Sequence, residues 1–324
     1  MKTGFGLSIL FLLSGCTATN IDLRLPLLSL FSVLGLVFFA YWMWRLRARQ
    51  QVSGTRKFPN PLELLIGAVT DFFDTLGIGS FAPTTAFFRM GRIVPDELLP
   101  GTLNVGHTLP TIAQALIFIQ LVPVATDTLL PMILSAGIGA WLGAGVAGRL
   151  PRFQIRLGMG LALLLAASIM LLSLLKVLPA GEDALGLVGW KWWLGIAGNF
   201  ALGLLMPLGI GLYAPCMILV SLLGMSPLAA FPIMMGSCAF LMPICSMRFC
   251  QNGKYSVSAA LGLAIGGVPA VLLAAYLVKS LPLDYVRWVV VAVVTIVAAS
   301  LLYAALQEKS PDVRLRKIMQ KDLA

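Results

Sequence analysis

The hydrophobic residues of this chain fall in long continuous runs that are separated by short polar segments. Runs of roughly 20 residues recur along nearly the whole length, which is what an α-helix needs to cross a ~30 Å hydrocarbon layer. The chain does not show the period-two alternation over roughly ten residues that is typical of membrane β-barrels. The pattern predicts an all-α, polytopic membrane protein with eight or nine helical elements.

The runs divide the chain into one extra helix and two similar halves. We predict a signal-like or interfacial segment at 1–24, a transmembrane helix at 25–44 and a basic cytoplasmic linker at 45–60. Further predicted segments are a first membrane repeat at 61–178, a linker at 179–189, a second repeat at 190–306 and a basic cytoplasmic tail at 307–324. Each repeat is predicted to open with an interrupted helix, at 61–90 or 190–223, followed by three spans.

One short motif occurs twice. Leu76 to Pro83 has the sequence L-G-I-G-S-F-A-P, and Leu208 to Pro215 has L-G-I-G-L-Y-A-P, with corresponding residues 132 positions apart. Glycine lacks the Cβ that favours helical dihedral angles, and proline fits the first turn of a new helix. We therefore predict that each opening helix breaks at its glycines and restarts at its proline.

A helix break inside a membrane exposes backbone N–H and C=O groups. Such groups cost several kcal/mol in hydrocarbon, so a break persists where protein or a water-filled cavity satisfies them. The N–H groups of a restarted helix carry partial positive charge and suit an anion. The alternative is a kink that only serves packing. The predicted substrate-binding residues are Gly77, Gly79, Ser80, Pro83, Thr84, Thr102, Asn104, Gly209, Gly211, Tyr213 and Pro215.

Three ionisable residues lie in the apolar runs of the first repeat. Asp71 and Asp74 share a helical face just before the first break, and His107 lies in the next span near Thr102, Asn104 and Thr108. A charge at the bilayer centre costs at least ~2.5 to 3.5 kcal/mol, so these groups are candidates for proton coupling. The alternatives are carboxylates near the interface and a hydrogen-bonded core histidine. The second repeat has Gly203 and Met206 where the first has the two aspartates.

Composition agrees with a membrane protein. The chain is 59% hydrophobic and only 11% charged, with a mean hydropathy of +0.94. Its net charge of +10 comes from cations between spans and in the tail, which indicates topology rather than nucleic-acid binding. We find no metal-binding constellation, nucleotide-binding glycine loop or Ser-His-Asp pattern, so we expect neither a cofactor nor an enzyme.

Positive charge also bears on topology, because Lys and Arg accumulate on the cytoplasmic side. If both interrupted helices cross the membrane, 14 of the 23 cations lie on the cytoplasmic side. If both are re-entrant, 17 of the cations lie on that side. The second count favours two repeats that are inverted relative to each other. Both alternatives stay open.

The first residues resemble a signal peptide, with Lys2, an apolar stretch from Phe5 to Leu13, and Leu13-Ser14-Gly15-Cys16 as a lipoprotein-type cleavage box. A misassigned start codon is an equally simple explanation. The other cysteines show neither zinc-site spacing nor the density of a disulfide scaffold.

Together these motifs resemble the TauE/SafE family of sulfite and sulfonate permeases, over about 61–306. The resemblance rests on Gly77, Gly79 and Pro83, on Gly91, Pro95 and Gly101-Thr102, and on Gly209, Gly211, Pro215, Gly224 and Pro227. Ser80 and Phe81, and Leu212 and Tyr213, stand where the family commonly has further glycines, and the N-terminal span is additional to the usual core.

The resemblance implies a multi-pass permease of the inner membrane that moves sulfite, a sulfonate or a related organosulfur anion by alternating access. We expect a cytoplasmic C-terminus, lipid contacts, no nucleic-acid partner and compatibility with a homodimer. An alternative from another class is a thiol-disulfide relay in which Cys216 exchanges electrons with Cys238 or Cys245. A third alternative is a non-transporting assembly or signalling subunit.

Overall fold

A computed structural model describes residues 24–49, 58–77, 79–95, 98–146, 184–206, 211–280 and 283–309, with scattered positions from 153 to 175. Apart from an isolated bridge between Ala184 and Met225, the regular structure of these ranges is helical. The helices are α1 Arg24–Arg49, α2 Pro61–Thr75, α3 Phe81–Met90, α4 Leu99–Leu121, α5 Thr126–Val146, α6 Trp190–Leu205, α7 Tyr213–Leu222, a 3-10 turn Pro227–Ala229, α8 Ala230–Asn252, α9 Val257–Ser280 and α10 Leu283–Lys309.

The prediction of an all-α membrane protein is confirmed. Three segments of the described chain are long and apolar enough to cross a membrane: Arg24–Arg47, Pro227–Asn252 and Val257–Leu277. The first helix continues to Arg49, through the first cations of the predicted basic linker. The predicted span at 157–176 lies mostly outside the described residues.

Both interrupted helices are interrupted where the repeated motif occurs. Asn60 and Glu63 form a capping box at the start of α2, which ends at Thr75. Gly77 and Gly79 follow with φ of 96° and 85°, in the left-handed region that favours glycine. The chain resumes as α3, with Pro83 in the first turn. In the second half α6 ends at Leu205 and α7 begins at Tyr213.

The two short helices and the loops after them have the same backbone hydrogen bonds at the same 132-residue offset. Residue 92 has a left-handed φ of 48° although it is arginine, and the corresponding Gly224 has φ of 94°. The corresponding pairs are Thr84 N to Ser80 O and Cys216 N to Leu212 O, Gly91 N to Phe87 O and Leu223 N to Leu219 O, and Ile93 N to Phe88 O and Met225 N to Val220 O.

Contacts along the helices show that the chain turns back within the first interrupted segment. Asp71 contacts His107 and Asp74 contacts Gln114, so α2 and α4 run in the same direction. The chain must therefore return through α3 before α4 begins. Phe88 of α3 accordingly belongs to the same small buried cluster as Ile66 and Leu99, near the starts of α2 and α4.

The second interrupted segment returns in the same way. Asn199 of α6 donates to the Met132 carbonyl, and Trp192 donates to the Asp127 carbonyl, so α6 and α5 run in the same direction. Gly236 of α8 lies close to Ile133 of α5, and Phe240 of α8 lies close to Gly137 of α5. Helix α8 therefore also runs in the same direction as α5. Since α6 and α8 are parallel, α7 leads the chain back.

Equivalent helices of the two halves run in opposite directions. The rings of Phe118 on α4 and Phe231 on α8 stack with centroids 5.2 Å apart. The Thr108 and Ser246 hydroxyls, towards the other ends of this pair, are 2.8 Å apart. Residue numbers thus rise along α4 as they fall along α8. Helices α4 and α8 form an antiparallel central pair.

Two tightly packed pairs flank this centre, and each joins one helix from each half. Helix α2 packs on α9, and α6 packs on α5. A Cβ on Gly266 of α9 would overlap the Leu64 carbonyl, and a Cβ on Gly139 of α5 would overlap the Phe200 carbonyl. These small residues allow the backbones of the paired helices to touch. Such close packing matters in a membrane because no hydrophobic effect drives helices together there.

Candidate functional site

The two helix breaks line one small cavity in the centre of the bundle. Gly79 and Ser80 come from the first break, and Gly211 and Leu212 from the second. The volume is about 20 Å³, enough for roughly one water molecule. A Cβ on Gly79 or Gly211 would meet no atom of the described residues within 4 Å. The remaining lining residues are Asp74, Phe81, Thr111, Met206, Tyr213, Cys238 and Met242.

The N-termini of α3 and α7 lie at this cavity. Their N-cap residues, Ser80 and Leu212, make no side-chain capping hydrogen bond. The N–H groups of Thr84 and Cys216 donate to the Ser80 and Leu212 carbonyls, within their own helices. Pro83 and Pro215 have no N–H. The donors without an intrahelical acceptor are those of the first turns, at Phe81 and Ala82 and at Tyr213 and Ala214.

A polar network joins the two breaks at the cavity wall. The side-chain amide of Gln114 on α4 donates to Asp74 Oδ2 over 2.9 Å and contacts Thr75 Oγ1 at 3.0 Å. Its carbonyl oxygen accepts from the Tyr213 hydroxyl over 2.7 Å. Asp74 and Tyr213 are both buried. Gln114 therefore couples the carboxylate beside the first break to the first residue of α7.

The sequence analysis missed Gln114. Its only sequence signal is its position on α4, seven residues after His107, which places both polar groups on one face of an apolar helix. Thr111 lies between them and lines the cavity. Helical periodicity around His107, rather than nearness in sequence, would have indicated these residues.

Behind the cavity lies a second buried cluster around His107. Its Nδ1 is 2.8 Å from Asp71 Oδ1, and its Nε2 is 3.1 Å from Thr84 Oγ1. The Phe81 ring lies 6.0 Å from the imidazole, centroid to centroid. Asp71 Oδ2 has no hydrogen-bond partner within the described chain and packs against Gly267. The predicted proton-coupling residues thus adjoin one another, and Asp74 alone of the three lines the cavity.

Six of the predicted substrate residues do not line the cavity, namely Gly77, Pro83, Thr84, Thr102, Asn104 and Pro215. Thr102 donates to the Leu98 carbonyl and accepts from the Ser256 N–H, so it ties the start of α4 to the start of α9. Asn104 donates to the Pro100 carbonyl of its own helix. Neither residue lines the cavity. Gly209 falls outside the described residues.

The two halves contribute different chemistry to the site. At the positions 132 residues after Asp71, Asp74 and His107 the second half has Gly203, Met206 and Ala239. It adds the apolar and sulfur-containing side chains of Met206, Leu212, Cys238 and Met242 to the cavity wall. The first half contributes the polar side chains of Asp74, Ser80 and Thr111 to the wall, and the second half contributes the Tyr213 hydroxyl.

The described cysteines are free thiols. Cys216, Cys238 and Cys250 are buried, and Cys245 is half-buried. Cys238 lines the cavity and Cys216 does not. Within the described ranges there is no cluster of three His, Cys, Asp or Glu residues that could hold a metal ion.

Comparison with known protein families gives one match. The family model described as sulfite exporter TauE/SafE matches residues 2–171, which is just over half of the chain. The chain belongs to the TauE/SafE family. Membership of TauE/SafE assigns it to membrane transporters of the sulfite-exporter type rather than to enzymes. Neither a curated protein nor a solved structure gives a significant match.

The TauE/SafE match differs in extent from the resemblance in the sequence. It begins at residue 2 and thus includes α1, which the sequence analysis treated as additional to the family core. It includes the first break with Asp71, Asp74 and His107, and it ends before the second break. The second break is linked to the family by the repeated motif and by its place at the same cavity.

Proposed function

We propose that this protein is a permease for a small sulfur-containing anion, either sulfite or a sulfonate, and that the cavity between the two breaks is its substrate site. The observation that carries the proposal is the convergence of two helix N-termini on one cavity. Each helix terminus brings partial positive charge without the desolvation cost of a buried lysine or arginine. The donors come from Ser80 and from the backbone N–H groups in the first turns of α3 and α7.

Alternating access provides the transport mechanism in this proposal. The antiparallel α4 and α8, and the two re-entrant segments, support an inverted duplication with a shared central site. A cavity of about 20 Å³ is too small for sulfite, so it has to enlarge before substrate enters. In this proposal the pairs α2–α9 and α5–α6 move relative to the central α4–α8 pair on which they pack.

Asp74 is the proposed proton carrier. An ionised carboxylate in the cavity repels an incoming anion, by about 4 kcal/mol for charges ~4 Å apart at an effective dielectric constant of about 20. Protonation of Asp74 removes this repulsion, so a proton and an anion bind together. His107 and Asp71 form a buried pair that fixes the α2–α4 contact behind Phe81.

We propose that the protein lies in the inner membrane and that the start of α4 is on the cytoplasmic side. Arg45, near the end of α1, donates to the Gln251 carbonyl at the end of α8, on the side where α4 begins. The return of α3 brings Arg89 and Arg92 to this side as well. These three cations therefore lie on one side, as expected for the cytoplasmic face. The C-terminus then also lies in the cytoplasm.

Reconstituted transport tests the proposed function. Purified protein in liposomes is offered sulfite, short sulfonates and carboxylates of similar size, with and without a pH gradient. We expect saturable flux of sulfite or a sulfonate that the other sulfur anions inhibit, and a change of rate when a gradient is imposed. Absence of flux for every sulfur anion, in protein that is inserted and folded, would contradict the proposal.

A further inference from the structure

A second cavity opens between α5 and α8, where Phe240 and Leu241 line it on the helix that also carries Cys238 and Met242 of the first cavity. Its volume is about 220 Å³. Gly137 and Phe240 are in contact at its floor, and Trp141 and Ile244 stand at its walls, 64% and 46% exposed. Large apolar side chains that are exposed on a membrane-spanning helix face lipid. This groove is therefore open to the acyl chains of the bilayer.

The dimensions of the groove favour a slender occupant. Along α8 it extends from Phe240 to Arg248, about 12 Å at 1.5 Å per residue. A packed helix has a diameter of about 10–12 Å, whereas a cavity of about 150 Å³ already holds a small organic molecule. One hydrocarbon chain fits this shape better than a transmembrane helix does.

The groove carries charge at one end only. Arg248 lies one helical turn before the end of α8 and is exposed. Among the described residues that line the groove there is no Asp or Glu. The end of α8 is also where Arg45 of α1 donates to Gln251, beside the aromatic residues Tyr41 and Trp44 that suit a headgroup boundary. The guanidinium is thus placed at headgroup depth, where it pairs well with a phosphate oxygen.

We propose that the groove between α5 and α8 binds one acyl chain of an anionic phospholipid, with the lipid phosphate on Arg248. The charge of Arg248 at one end matches the lipid phosphate, and the apolar wall along the rest of the groove matches the acyl chain. A cation near the membrane surface stabilises the binding of an anionic headgroup. We expect this attraction to give a preference of about fivefold over a zwitterionic lipid. The proposal is independent of the transported anion.

Native mass spectrometry of the purified full chain tests this site. Phosphatidylglycerol and phosphatidylcholine with identical acyl chains compete for retention on wild-type protein, on Arg248→Gln and on Arg47→Gln. Arg47 is an exposed cation on the same membrane side and serves as the matched control. We expect about fivefold selective retention of phosphatidylglycerol by the wild type and by Arg47→Gln, and loss of the selectivity in Arg248→Gln.

A groove-filling variant tests the apolar part. Ile244→Trp alters an exposed position, and we expect it to lower retention of both lipids without lowering the unfolding temperature in detergent. Equal loss of selectivity in Arg47→Gln and Arg248→Gln, or unchanged retention in Ile244→Trp, would overturn the proposal. So would efficient disulfide cross-linking of Ile138→Cys between two copies in the membrane, because a second copy would then occupy the groove.

Discussion

Replacing Gly77 by leucine is expected to abolish flux of the transported sulfur anion while the protein still inserts into the membrane. Gly77 has φ of 96°, a conformation that costs a residue with a side chain about 1–2 kcal/mol. A Cβ there would also overlap the terminal methyl of Met217 on α7. The substitution therefore changes both the break and its contact with the second half. The measurement is flux into liposomes, normalised to inserted protein.

Two further variants separate these effects. The double variant Gly77→Ala with Met217→Ala removes the overlap with Met217 but keeps the backbone strain at residue 77. We expect it to have partial flux only if the overlap, rather than the strain, causes most of the loss. Gly35→Ala on α1 is the control, because a Cβ there lies 3.4 Å from Ile112, within ordinary contact. Normal flux in Gly77→Leu would contradict a functional break at this position.

Replacing Asp74 by asparagine is expected to uncouple flux from the pH gradient. The amide is close in size to the carboxylate, and it does not take up a proton at neutral pH. Anion exchange without a gradient should persist, because the cavity wall then stays neutral throughout the cycle. Gradient-driven accumulation should fall to the level of passive exchange. Both are measured in the same liposomes, with the gradient imposed or absent.

Glu63 provides a matched control for Asp74. It is also a buried carboxylate on α2, but it accepts from the Asn60 N–H and from the Ser258 hydroxyl at the start of the helix, away from the cavity. Glu63→Gln should keep its gradient response. A gradient response that survives in Asp74→Asn, or is lost equally in Glu63→Gln, would exclude Asp74 as the proton carrier.

The helix breaks could be predicted because their cause is local. Gly77 and Gly79 are adjacent to the end of a helix, and Pro83 starts the next, so residue chemistry alone determines the interruption. The repeat made the prediction stronger, and the count of cations already favoured a re-entrant path. The parallel directions of α2 and α4 agree with that count.

The composition of the site could be predicted only in part. Thr102 and Asn104 were grouped with His107 because they are close in sequence, but their hydroxyl and amide bond to backbone at the helix start. Gln114, Met206 and Met242 come together only through the antiparallel packing of α4 on α8 and the approach of the two breaks. Such contacts depend on how whole helices pack, which a single sequence does not specify.

Accessibility of the second break tests the central proposal most directly. In a variant with all native cysteines replaced by serine, Gly211→Cys puts a thiol at the cavity, where a Cβ meets nothing within 4 Å. We expect a small charged maleimide to block flux, and a transported sulfonate to slow the labelling. Sulfonates are preferred to sulfite here because sulfite itself reacts with maleimides. Complete labelling with unchanged flux, or no protection by the transported anion, would contradict a substrate site between the two breaks.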